Sequence, residues 1–177
     1  VAVNLSTRQF ANGDLAHKIE ASLRRTRFDR ARLELEITES VLLKDSSINL
    51  VTLRRLREIG IRIALDDFGT GYSSLGYLQK FPFSKIKIDR SFVSGLPQNE
   101  ESQAIVRAVI GLGQALGMRV TAEGVETQEQ FDWIKSGCDE AQGYFLSRPV
   151  PGREVPGLLK SLGEKLPAGR QLSRLAG

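Results

Sequence analysis

At 177 residues the chain suffices for one domain with a substantial core, and its 41% hydrophobic and 26% charged content is ordinary for a soluble globular protein. One cysteine, Cys138, excludes an internal disulfide, and with the single histidine, His17, excludes the usual Cys/His zinc sites, so any metal must be held by oxygen. The net charge of +4 is modest and its basic residues are dispersed, as at Arg54, Arg55 and Arg57, which argues against a groove for nucleic-acid polymer.

In chain order, VAVNLS reads as a short strand ending at Asn4, followed by a helix capped by Asp14 with Leu15, Ile19 and Leu23 on one face. Leu33, Leu35 and Ile37 then alternate with Glu34 and Glu36, Glu39 follows, and a helix from about Ser46 to Ile59 buries Ile48, Val51, Leu56 and Ile59 before Gly60 stops it. A third strand carries Ile61, Ile63 and Leu65 at period two and leads into a helix starting near Ser73 or Ser74. KIKID, Lys85 to Asp89, is the fourth strand, and its helix runs from Glu100 to Leu116 with Ile105, Val109, Leu112 and Leu116 on one face and Gly117 at its end. MRVTAEGVE supplies the fifth strand, with a following helix that opens on Thr127 and Gln130 at capping-box spacing and closes at Gly137. A sixth strand lies within Asp139 to Leu146, then a turn marked by Pro and Gly and a short helix between Arg153 and Leu162. Residues 1–162 form the folded domain and 163–177 a loosely ordered tail. Phe131 and Trp133 read as packing residues, and His17, away from every strand end, as a surface residue.

The third strand ends in two adjacent carboxylates and a glycine-broken loop, IRIALDDFGTGYSSL. Neighbouring strand side chains point to opposite faces, so Asp66 and Asp67 converge on one site only if Asp67 lies past the regular strand, a bend that Gly69 and Gly71 permit. Two close carboxylates raise one another's pKa unless a cation neutralises them, and a hard divalent metal is the simplest neutraliser. A solvated Asp-Asp loop is the alternative on this stretch alone.

Six strand-then-helix units imply parallel strands covered by helices, in an open doubly wound sheet or part of a barrel. Asn4, Glu36, Asp66, Asp67, Lys87, Glu123 and Gln142 fall at the C-terminal ends of all six strands. An open sheet gathers ligands mainly at its switch point, whereas a barrel brings every strand end around one mouth. The expected fold is therefore α/β, a partial TIM-like (β/α) barrel with about six of eight strand-helix units, and the chain, which starts at Val1 inside a strand-like run, reads as a fragment lacking two upstream strands.

Six motifs then carry a resemblance: Asn4-Leu5-Ser6, Glu36-Ile37-Thr38-Glu39, Asp66-Asp67-Phe68-Gly69-Thr70-Gly71-Tyr72-Ser73, Lys87-Ile88-Asp89, Glu123-Gly124-Val125-Glu126 and Gln142-Gly143-Tyr144. In this order, from Val1 to about Pro151, they resemble the EAL-domain family of cyclic di-GMP phosphodiesterases. The Glu-Ala-Leu motif that names the family is absent and is expected upstream, which would leave this chain one metal ligand short. The resemblance implies Asn4, Glu36, Asp66, Asp67 and Glu123 as metal ligands, with Asp67 on a second ion. It implies Lys87 as the residue that positions or activates the attacking water, Glu123 as catalytic besides its ligand role, and Glu39, Asp89, Glu126 and Gln142 as residues that position substrate or the Asp-Phe-Gly-Thr-Gly loop.

The implied reaction is hydrolysis of cyclic di-GMP to linear pGpG with two Mg²⁺ or Mn²⁺ ions; carboxylates and an amide oxygen are the donors such ions prefer. The alternative is an inactive EAL-like domain that binds cyclic di-GMP or another protein, and a weaker one an unrelated phosphate-binding barrel. The resemblance also implies an upstream GGDEF or sensory domain and a homodimer formed near the Asp-Phe-Gly-Thr-Gly loop. Without a long apolar run or a signal pattern, a cytoplasmic location is expected, in a parent protein that others of the family would allow to be membrane-tethered.

Overall fold

The computed structural model describes residues 1–10, 13–43, 46–70 and 75–165. Six strands, β1 (Ala2–Leu5), β2 (Glu34–Thr38), β3 (Arg62–Phe68), β4 (Lys85–Ile88), β5 (Arg119–Ala122) and β6 (Glu140–Ala141), form one parallel sheet in sequence order. Among the described residues β1 and β6 are its two edges. The helices are α1 (Thr7–Phe10), α2 (Leu15–Thr26), α3 (Glu39–Leu43), α4 (Ser46–Glu58), α5 (Leu75–Lys80), α6 (Arg90–Val93), α7 (Glu100–Ala115), α8 (Gln128–Ile134) and α9 (Val155–Lys165). The one-turn helices α1, α3 and α6 are too short to give a period in sequence. The last helix extends three residues past Leu162, the start expected near Ser73 lies outside the described residues, and so do residues 166–177 of the expected tail.

Period two divides the strands between two environments. Leu35, Ile37, Ile63, Leu65, Ile86, Ile88, Val120 and Ala122 are buried in the core between sheet and helices. Each large aliphatic side chain so buried stabilises the fold by about 1.5–3 kcal/mol. The alternate residues, Glu34, Glu36, Asp66, Lys85, Lys87, Thr121 and Glu140, are also buried, on the other face. Adjacent strands lie about 4.8 Å apart, which puts β2 and β6 each about 10 Å from β4. Yet one ammonium on β4, that of Lys85, lies 2.6 Å from Glu34 on β2 and 2.6 Å from Glu140 on β6. The polar face is therefore concave, the inside of a barrel wall.

Local signals account for most helix ends. Thr127 and Gln130 form the expected capping box, Asn99 caps α7 by accepting from Ser102 N, and Gly60 and Gly117 take the left-handed conformation after α4 and α7. Asp14 stands at the cap position of α2 but makes no capping bond; its carboxylate pairs with Lys18 at 2.8 Å. The face expected for α4 is corrected. Leu56 is buried and Ile59 packs against the core as expected, but Ile48 and Val51 are 55% and 68% exposed, and Asn49, Thr52 and Leu53 are buried in their place. Asn49 donates through Nδ2 to Val41 O at 2.6 Å, so a polar residue with a backbone partner occupies a core position that apolar periodicity does not reveal. Phe131 and Trp133 pack against the core as expected, and His17 is exposed on α2.

Candidate active site

The site lies where the polar strand residues reach the C-terminal ends of β2 to β5. Lys87 is its centre: the ammonium lies 2.9 Å from Glu36 Oε2, 3.0 Å from Asp66 Oδ1 and 2.7 Å from Glu123 Oε1, and the side chain is 5% exposed. Glu36 and Asp66 come from β2 and β3, and Glu123 directly follows β5, its N–H donating to Ile88 O at 3.1 Å. Asn4, on β1, stands in register with Glu36 and is exposed.

The paired aspartates sit in a β-bulge. Leu65 pairs with Ile86 and Phe68 with Ile88, so Asp66 and Asp67 together oppose the single residue Lys87. Asp67 takes φ 53°, and its N–H donates to Asp66 Oδ1 at 3.1 Å. This corrects the expectation that Asp67 lies beyond the strand: β3 continues to Phe68, and the chain bends at Asp67 itself, one of the few residue types that tolerate the left-handed region, before Gly69; Gly71 lies outside the described residues. One oxygen each of Asp66, Asp67 and Glu123 lie within 4.8 Å of one another.

The loop beyond is held from two sides. Gly69, at φ 95°, donates its N–H to Glu39 Oε1 at 2.9 Å, and Thr70 bonds back to Asp67 O through both N–H and hydroxyl. The Phe92 ring packs close to Gly69, 3.1 Å from where a Cβ would stand, a support that the sequence did not announce. Asp89 caps α6 by accepting from Ser91 N at 2.9 Å. Gln142 is exposed, with its backbone bonded to Ala122 O and Val125 N, and Glu126 is exposed with its N–H on Gln130 Oε1.

Charge is unbalanced here, with Asp66, Asp67, Glu36 and Glu123 around one lysine. Burial, then the charges of Asp66 and Asp89, raises the Asp67 pKa; burial, reinforced by Asp66 and Glu36, raises that of Glu123 despite the Lys87 contact. For Lys87, burial works downward, but Glu123, Glu36 and Asp66 outweigh it and hold the ammonium protonated well above its ordinary range. Partial burial pushes Asp89 up, and the Ser91 hydrogen bonds more than reverse it. Burial pushes the Cys138 thiol up to about 12, which disfavours the thiolate form. The donor set, hard oxygens crowded at one strand end with excess negative charge, fits a divalent cation.

Comparison with known proteins agrees with this geometry. The EAL domain family model matches residues 1–149. The chain belongs to the EAL domain family. Among curated EAL relatives, uncharacterized protein y4lL of Sinorhizobium fredii is 56% identical over 165 residues, 93% of this chain and 20% of that protein. The bifunctional diguanylate cyclase/cyclic di-GMP phosphodiesterase MucR of Pseudomonas aeruginosa is 42% identical over 156 residues, 88% of this chain and 23% of MucR. The chain thus spans about a fifth of the length of these relatives. Of solved EAL structures, the PaMucR phosphodiesterase in complex with c-di-GMP superposes with a TM-score of 0.83 at 42% identity, covering 87% of this chain and 63% of that one. Klebsiella pneumoniae BlrP1 with manganese and cyclic di-GMP gives 0.77 at 35%, covering 84% and 38%. EAL domains are TIM-like barrels, so the six-stranded sheet is part of one. Among the described residues no helix is long and apolar enough to cross a membrane.

Proposed function

We propose that the protein carrying this chain hydrolyses cyclic di-GMP to linear pGpG, with divalent cations, Mg²⁺ or Mn²⁺ at two positions, held by Asn4, Glu36, Asp66, Asp67 and Glu123. The observation that carries this reading is the convergence of Asp66, Asp67 and Glu123 on one point, with Lys87 clamped beside them. The cyclic di-GMP complexes of PaMucR and BlrP1, the latter with manganese, support the choice of substrate and metal class. Bound divalent ions would supply a hydroxide equivalent at neutral pH and neutralise charge on the phosphoryl oxygens.

The chain's own residues do the remaining work. Lys87, clamped among Glu36, Asp66 and Glu123, donates hydrogen bonds through its ammonium that would position the attacking water or a phosphate oxygen, as a point charge. Glu123 touches Lys87 and reaches the ligand cluster, so as a deprotonated ligand it would tie the ammonium to the metal position at the reacting centre. Glu39 holds the loop after Asp67, Asp89 fixes the first turn of α6, and Glu126 and Gln142 at the rim position the dinucleotide. A full-length parent with a GGDEF or sensory domain, a cytoplasmic catalytic portion and a homodimer near the loop belong to the same proposal. The test is chromatographic assay of pGpG with Mg²⁺ or Mn²⁺ and with chelator, on the chain alone and with its upstream segment. Metal-dependent turnover by the longer protein is expected; tight cyclic di-GMP binding without turnover would point to a receptor.

A further inference from the structure

Below the site, two residues earlier on the same strands, lies a second tier of buried ion pairs. Lys85 Nζ is 2.6 Å from Glu34 Oε1 and 2.6 Å from Glu140 Oε2; Arg119 reaches Glu140 Oε1 at 2.6 Å and Glu34 Oε2 at 3.7 Å. Thr121 Oγ1 also donates to Glu140 Oε2, at 3.1 Å. Here two cations match two carboxylates, whereas in the tier above Lys87 alone faces Glu36, Asp66 and Glu123.

Lys85 and Lys87 leave β4 on the same face, about 6.6 Å apart along the strand, each on a flexible four-carbon stem. Ala64 on β3, fully buried, stands in register with Glu36 on one side and Lys85 on the other, so no long side chain there separates the lysines from β2. Lys85 thus lies two strands from Glu36 in one register row, and Lys87 two strands from Glu140 in another, so each lysine has a carboxylate of the other tier across from it. A buried carboxylate without a cation is costly, so the occupied partners of one lysine decide where the other sits.

We propose that Lys85 is a positioning residue for the site: by saturating Glu34 and Glu140 it removes their draw on Lys87, which stays on Glu36, Asp66 and Glu123. The role assigned to the upper tier rests on the proposed function; the placement of Lys87 does not. Two variants of opposite sign test it in the full-length protein. Lys85→Met leaves Arg119 alone against the two carboxylates below, and Lys87 is drawn down toward the unmatched charge. The upper carboxylates lose their ammonium, Mn²⁺ affinity measured by electron paramagnetic resonance rises about tenfold, and kcat falls about tenfold or more at nearly constant KM. Glu34→Gln with Glu140→Gln frees Lys85 to move up, and Mn²⁺ affinity falls about tenfold.

Lys85→Met combined with Glu34→Gln leaves Arg119 matched to Glu140, removes the imbalance and returns affinity and kcat to within about threefold of the starting protein. Shifts of the same sign in the two variants, as a merely loosened site would give, overturn the proposal, as does Lys85→Met with Glu34→Gln no better than Lys85→Met alone. Should Lys85→Met not fold, the double carboxylate variant carries the same test. Metal-free crystal structures read the idea without turnover or metal: Lys87 is expected off Glu123 in Lys85→Met, and Lys85 is expected near Glu36 in the double carboxylate variant. Lysines unmoved in the variants that fold would refute it, even if hydrolysis itself is as proposed.

Discussion

The N–H of Gly69 donates to Glu39 Oε1 at 2.9 Å, tying the loop after the paired aspartates to the first turn of α3, 30 residues earlier. The bond sets the exit of the bulge that aims Asp67, since Gly69 is two residues on and Thr70 closes back on Asp67 O. Glu39→Gln keeps an acceptor and loses the charge, whereas Glu39→Ala loses both. Apparent Mn²⁺ affinity is expected to fall about threefold in the first and about tenfold in the second, measured by titration of turnover. Unchanged metal dependence in the alanine variant would remove Glu39 from the loop's support.

Asp67 illustrates function set against stability. Its folded pKa is raised above 3.8, first by burial and then by Asp66 and Asp89, so the folded chain takes this proton more readily than the unfolded chain. The resulting penalty is full above the folded pKa and is relieved as pH falls through it. Asp67→Asn removes the charge and keeps a residue suited to φ 53°. The metal-free melting temperature at neutral pH should rise by about 2 °C, with the gap to the starting protein closing on acidification and the Mn²⁺-induced stabilisation lost. A lower melting temperature without metal would contradict the charge argument.

Asp66→Asn changes no core volume, and Lys87 keeps Glu36 and Glu123. Circular dichroism and melting without metal should stay close to the starting protein, while kcat/KM falls about a hundredfold or more, about 2.7 kcal/mol of transition-state stabilisation. Activity within about threefold would sink its assignment as a ligand.

Gly124→Ala tests the backbone behind Glu123. Gly124 has φ 67°, and an added Cβ would stand 2.4 Å from Arg90 Cβ and 3.3 Å from its Cα, atoms that cannot rotate away. The left-handed conformation alone costs about 1–2 kcal/mol, and the clash must displace α6 or Glu123. Urea unfolding should show at least that loss, with kcat reduced; neither change would mean that the loop relaxes freely.

The strands before β5 were legible because Ile, Leu and Val recur there at period two, and the site was legible because polar residues end the strands. The α4 face was not, because Asn49 is buried on a backbone hydrogen bond while Ile48 and Val51 face outward. Nor was the bulge, because glycines in the next residues offered a turn that the chain makes at Asp67. The lower tier escaped notice because Glu34 and Lys85, read singly, look like the solvated half of an alternating strand. Only a concave sheet turns that half inward and brings Lys85 between Glu34 and Glu140.

The most direct measurement is anomalous diffraction at the manganese edge from crystals of the protein grown with Mn²⁺ and cyclic di-GMP. The account predicts manganese peaks within about 2.0–2.4 Å of carboxylate oxygens of Asp66, Asp67 and Glu123, with Lys87 next to them. Ordered nucleotide at the strand ends with no anomalous density among those three carboxylates would contradict it.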